Sequence, residues 1–103
     1  MATLYITEHA SQVRDGAGYL VQGTPAYPAL AEQTVAIGGS SAASATLNAA
    51  TTLVELVSDV VCSIAVAATP TATATNRRLP ANVPVQIGVP ANSGFKIAVI
   101  TNT

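Results

Sequence analysis

The sequence is short of charge, of aromatic side chains and of reactive groups. Of its 103 residues 9% are charged and 4% aromatic, with no Trp, one Phe, one Cys and one His, and the net charge is −1. The basic residues are Arg14, Arg77, Arg78 and Lys96. Four cations cannot neutralise a run of phosphates, so nucleic acid is not an expected partner. A lone Cys62 excludes an intrachain disulfide and a multi-cysteine metal site. With His9 alone added, a four-coordinate zinc shell would stay half empty, so neither metal nor cofactor is expected. The most apolar stretch, residues 53–68, contains Glu55 and Asp59 and is too short to span a bilayer. The N-terminus lacks a basic region followed by an apolar run, so no signal peptide is visible and synthesis in a cytoplasm is expected.

What is present is a neutral chain that is half hydrophobic by residue type, built on Ala, Val, Leu, Ile and Thr. Disorder goes with the opposite composition, so a single folded domain is expected. A soluble monomer of this size normally carries about a quarter to a third charged residues on its surface. Here much of the exterior must be Ala, Thr, Ser and Gly, a surface suited to close packing against another protein or a second copy.

Period-two patterns run along the chain. Leu4 and Ile6 alternate with Tyr5 and Thr7 as a half-buried strand. Residues 8–24 read as a poorly patterned surface segment, with room for one short strand at 19–21. Pro25 and Pro28 extend it as an open connection. Residues 1–30 are thus expected to be a strand plus an extended arm, and 31–103 the main domain. Val35 and Ile37 alternate with Thr34 and Ala36 before a turn at 38–41. Residues 42–50 fit either a strand or a turn of helix. Residues 51–68 fit two patterns. Leu53, Leu56, Val57, Val60, Val61 and Ile64 have helical spacing, whereas Val54, Leu56, Val60, Cys62, Ile64 and Val66 alternate, with Glu55, Asp59 and Ser63 on the opposite, solvent-facing side. The Val and Ile content favours two strands with a corner at Ser58 and Asp59. Residues 69–76, rich in Thr and Ala, read as an exposed edge or loop. Val83, Val85, Ile87 and Val89 form another stripe, and Pro80, Pro84 and Pro90 imply an edge position. A final strand covers 95–100. Six to eight short strands with turns between them predict an all-β fold, a small antiparallel β-sandwich of jelly-roll-like type with an N-terminal arm.

The search for chemistry finds little. His9, beside Glu8 in a polar segment, reads as a solvated surface histidine. Cys62, in an apolar stripe with Asp59 as its nearest charge, reads as a small buried hydrophobe. Gly16 and Gly18 begin a dinucleotide-like pattern, but Val21 stands where a third glycine is needed. Without acid, base and nucleophile an enzyme is not expected. Arg77 and Arg78 could meet an acidic partner surface, although neighbours on a strand point to opposite faces.

Three strings carry a resemblance: Ala31-Glu-Gln-Thr-Val-Ala-Ile-Gly-Gly-Ser-Ser-Ala, Cys62-Ser-Ile-Ala with Pro70-Thr-Ala-Thr, and Gly94-Phe-Lys-Ile-Ala-Val-Ile-Thr. Together they resemble small structural proteins of tailed bacteriophages that act as head decoration, or cement, proteins. The resemblance covers residues 31–103 and 4–8, and it contains no catalytic motif. It implies a β-sandwich virion protein on the capsid surface, binding the major capsid protein and itself as a symmetric cluster such as a trimer, with multivalent contacts. Tyr19, Tyr27 and Pro28 in the arm are the expected anchors, since aromatic side chains are favoured at interfaces. A head-tail junction or fibre component is the alternative virion position. A glycan-binding module is a further alternative, disfavoured by the absence of Trp.

Overall fold

The structure is a computed structural model that describes residues 2–10, 12–14, 16–17, 20–25 and 29–102; for 12–14 and 20–25 it describes the main chain. It contains strands β1 (Thr3–His9), β2 (Gln12–Arg14), β3 (Leu20–Pro25), β4 (Ala31–Ala36) and β5 (Ala42–Ala43) in the first half. The second half contains β6 (Leu53–Ser58), β7 (Cys62–Ala67), β8 (Arg77–Leu79), β9 (Val85–Gly88) and β10 (Lys96–Thr101). Sheet I has the order β4-β1-β6-β9 and sheet II the order β5-β10-β7-β8, with every pairing antiparallel. The expected β-sandwich is therefore what forms.

The pleat sorts the side chains. Leu4, Ile6, Val35, Val54 and Leu56 from sheet I meet Cys62, Ile64, Leu79, Ile97 and Val99 from sheet II, and Leu47 closes the core from the loop after β5. These side chains are small or branched, so sheets about 10 Å apart can interdigitate without large aromatics. Residues 51–68 form two strands, not the rival helix; β6 runs through Ser58, so the corner falls at residues 59–61, one position later than the expected Ser58 and Asp59. The prolines around β9 fit its place at the edge of sheet I. Val83 precedes that strand and is exposed. In the turn before β10, Asn92 and Gly94 take positive φ of 59° and 68°, a region that Asn tolerates and Gly enters freely.

Two expectations need correction. Ser63 is fully buried although it lies on the side of β7 opposite Cys62 and Ile64. Its cover is the Thr/Ala-rich segment 69–76, which folds back over the outside of sheet II. Asn102 Nδ2 donates to both Ser63 Oγ (2.7 Å) and Ala74 O (3.1 Å), and Ala72, itself buried, donates its N–H to Ser41 Oγ at 2.8 Å. The sheet face beneath carries Ser63, Ala65 and Ala98 together with Ile100, which pairs with Ser63 and is partly buried, so a strap of Ala and Thr can approach closely beside one larger side chain. The second correction concerns Glu8 and His9. Both belong to β1 and both are buried: alternation puts Glu8 on the core face with Leu4 and Ile6, where Asn48 and Thr51 bond to it, and His9 pairs with Leu53 at the end of the strand, where Thr52 bonds to its carbonyl. β1, counted by sequence with the arm, is an inner strand of sheet I.

The buried position of Ser63 yields a measurable consequence. Ser63→Leu should lower unfolding free energy by about 1–3 kcal/mol through overpacking beneath the strap, read by urea denaturation. A solvent-facing Ser63 would tolerate the change within about 0.5 kcal/mol.

Candidate functional site

The polar cluster around Glu8 is the most organised set of side chains among the described residues. Alternation along β1 sends Glu8 to the same face as Leu4 and Ile6, where an ionisable group needs partners. It has them. Glu8 Oε1 accepts from the Asn48 N–H at 2.7 Å and the Thr51 hydroxyl at 2.8 Å, and Oε2 accepts from Gln33 Nε2 at 3.2 Å. Gln33 Oε1 in turn accepts from the Ala45 N–H at 3.0 Å. The Asn48 side chain supports the turn by accepting from the Ala50 N–H at 2.9 Å, and Thr52 donates its N–H to His9 O at 3.1 Å. Two of the three donors to the carboxylate, Asn48 and Thr51, come from one loop, residues 45–52, and the third, Gln33, from β4, so the carboxylate ties that loop to sheet I. Its chemistry is that of a structural clamp: an acceptor saturated by neutral donors and closed off from solvent.

Glu8 should have been legible, since it continues the alternation Leu4, Ile6. Its donors lie 25 to 43 residues on and leave no local signal. His9, expected in solvent, is buried at the end of β1, where the chain leaves sheet I.

Cys62 is fully buried in the core. Burial pushes its thiol up; a hydrogen bond with Ser58 opposes this, and the Asp59 charge adds to it. It is therefore a packing residue, not a nucleophile.

The remaining expected contacts are dispersed. Arg77 and Arg78 lie on β8 at the edge of sheet II, both exposed, opposite Ile64 and Ser63 respectively, so they point to different faces. Arg78 lines a surface depression of about 240 Å³ with Val61 and Pro80. Tyr19, Tyr27 and Pro28 lie outside the described residues. Main-chain pairing does show the organisation of their segment: β2 and β3 form a separate two-stranded ribbon, with Gln12 opposite Pro25 and Arg14 opposite Leu20. Because β1 runs into β2 and β3 into β4, the ribbon is the distal part of the hairpin whose base is β1 and β4. The outer face of sheet I is partly exposed along its middle, whereas His9, on the same face at the end of β1, is buried. Tyr5, half exposed, stands between Thr34 and Val57, and a second row runs Glu32, Thr7, Glu55 and Gln86. Among the described residues no group of three His, Cys, Asp or Glu side chains could hold a metal ion.

Comparison with family models, with curated proteins and with solved structures finds no match to this chain.

Two outcomes follow from this geometry. Glu8→Ala strands the buried Thr51 hydroxyl and removes the acceptor of the part-buried Asn48 and Gln33 donors, and should cost about 1–3 kcal/mol of unfolding free energy, measured by chemical denaturation. Cys62 should resist a thiol reagent in the folded protein and react fully once the chain is unfolded. Because the folded thiol titrates above its unfolded value, its contribution to stability is complete below the ordinary thiol range and falls as pH rises through and beyond it.

Proposed function

We propose that this protein is a structural component of a tailed-phage virion that decorates and stabilises the capsid, bridging subunits of the major capsid protein. The observation that carries the reading is the ribbon β2–β3, which belongs to neither sheet. A two-stranded hairpin is at best marginally stable by itself, so a ribbon extended from a sandwich gains from docking on a neighbour. The molecule measures 47 × 26 × 21 Å, long for a chain of this size, which suits a subunit that reaches across a junction. The near-neutral exterior and the resemblance of the strings at 31–42, 62–73 and 94–101 to head decoration proteins support the same reading.

In the proposed mechanism the sandwich is the rigid body and the ribbon its contact arm. Tyr19, Tyr27 and Pro28 are the proposed anchors, and Arg77 and Arg78 present cations at the opposite sheet for acidic groups on the shell. Individual contacts are weak, and repetition over a symmetric lattice supplies the avidity. A head-tail or fibre position would use the same features in far fewer copies.

The test has two parts. Quantitative mass spectrometry of purified virions against the major capsid protein should find hundreds of copies, whereas about a dozen would move the protein to a tail vertex or fibre, and none would sink the virion reading. Deleting residues 1–28 would remove β1 and unfold the sandwich, so the arm is better tested by replacing residues 12–25 with a short Gly/Ser turn. That variant should keep its thermal transition and lose binding to undecorated capsids. Undiminished binding would refute the ribbon's role.

A further inference from the structure

The four edges of the two sheets differ in how they are protected. In sheet II, β5 has two residues, and β8 has three, opens with Arg77 and Arg78, and runs into Pro80. In sheet I, β9 has four residues and lies between Pro84 and Pro90. Shortness, basic side chains and proline are the devices that stop an edge from pairing with another chain. β4, the remaining edge, has none of them: it has six residues, no proline, no basic residue, and a single acid, Glu32.

The ladder shows which of its groups are available. The Ile37 N–H donates to Ala2 O at 3.0 Å, and the register then pairs Val35 with Leu4, Gln33 with Ile6 and Ala31 with Glu8. Antiparallel bonding alternates along a strand, so Ala31, Gln33 and Val35 turn their main-chain groups to β1, while Glu32, Thr34 and Ala36 turn theirs outward. Those three residues are exposed, and β4 has no neighbour on that side among the described residues.

The geometry points to β4 as a self-pairing edge, along which two copies of this chain join antiparallel about a two-fold axis at Thr34. In that register Thr34 faces Thr34 of the second copy and Glu32 faces Ala36 of the second copy, so every outward N–H and C=O of the three residues is bonded. Threonines directly opposite one another are a favourable cross-strand pair. The two Glu32 carboxylates stand about 14 Å apart along the strands, four residues at roughly 3.4 Å each. A slip by two residues toward the start of β4 leaves Ala36 without a partner, and a slip by four sets Glu32 against Glu32. The occupant is a second copy because the edge is complementary to itself in the one register that uses it fully. The contact is isologous and extends sheet I continuously through both copies. It concerns the chain alone in solution and does not depend on the virion reading.

Light scattering coupled to size exclusion on the full chain, at roughly 100 μM, where a micromolar interface is populated, should give twice the chain mass of 10.3 kDa. Thr34→Pro removes an outward donor and leaves the β1 ladder whole, and Thr34→Lys sets two ammonium groups against each other. Both should run as monomers, with dissociation constants raised at least about tenfold and circular dichroism unchanged. Under mild oxidation Thr34→Cys should give a disulfide-linked dimer and Glu32→Cys should not, since only position 34 meets itself and Cys62 is buried. A monomeric parent chain, a trimer, or a dimer indifferent to both substitutions at Thr34 would overturn the proposal.

Discussion

The sandwich is tied together where a buried carboxylate meets a loop. Residues 44–52 carry the chain from sheet II back to sheet I, and each end of that segment is held by a different sheet. Ser44 and Leu47 donate their N–H groups to the carbonyls of Ile97 and Phe95 at β10, at 2.8 and 2.9 Å, while Asn48 and Thr51 donate to Glu8 on β1. Ser44 Oγ also accepts from the Ile97 N–H at 2.9 Å. With Leu47 inserted in the core between these grips, the loop is a crossing that fixes one sheet against the other. An ionisable group on a core face is tolerated because its acceptor sites are filled by neutral donors of good geometry.

The other side of the molecule is closed differently. The outside of sheet II carries Ser63, Ala65, Ala98 and the partly buried Ile100 and is crossed by the strap 69–76, so its packing combines small side chains with a single larger apolar one. This explains how a chain with so few charges folds without a large bare apolar surface. The residues left outside are mostly Thr, Ala, Ser and Asn, which neither repel a neighbour nor demand much desolvation. A surface of that kind fits a protein whose task is to lie against others.

The ribbon and the edge β4 are linked by chain order. β1 and β4 form the base of one long hairpin, β2 and β3 its extension, and β4 is also the outermost strand of sheet I. A subunit that contacts the shell through the ribbon and a second copy through β4 would use two regions of a single hairpin. The remaining six strands, β5–β10, then serve to hold that hairpin rigid, which is the work of the core and the Glu8 clamp.

Composition and period-two patterning by themselves determined that the chain is all-β, that 51–68 breaks into two strands near Asp59, that β9 is an edge, and that Cys62 is buried. Each of these rests on residues close in sequence, where alternation and turn chemistry act locally. Only the tertiary structure decided the burial of Glu8, His9 and Ser63, the folding of the Thr/Ala segment over sheet II, and the choice of β4 as the unprotected edge. Polar groups are buried when distant donors and acceptors reach them, as Asn48 and Thr51 reach Glu8 and as Asn102 reaches Ser63. An edge is an edge only once strand order is set. Both depend on contacts between residues more than twenty positions apart, for which a local pattern holds no signal.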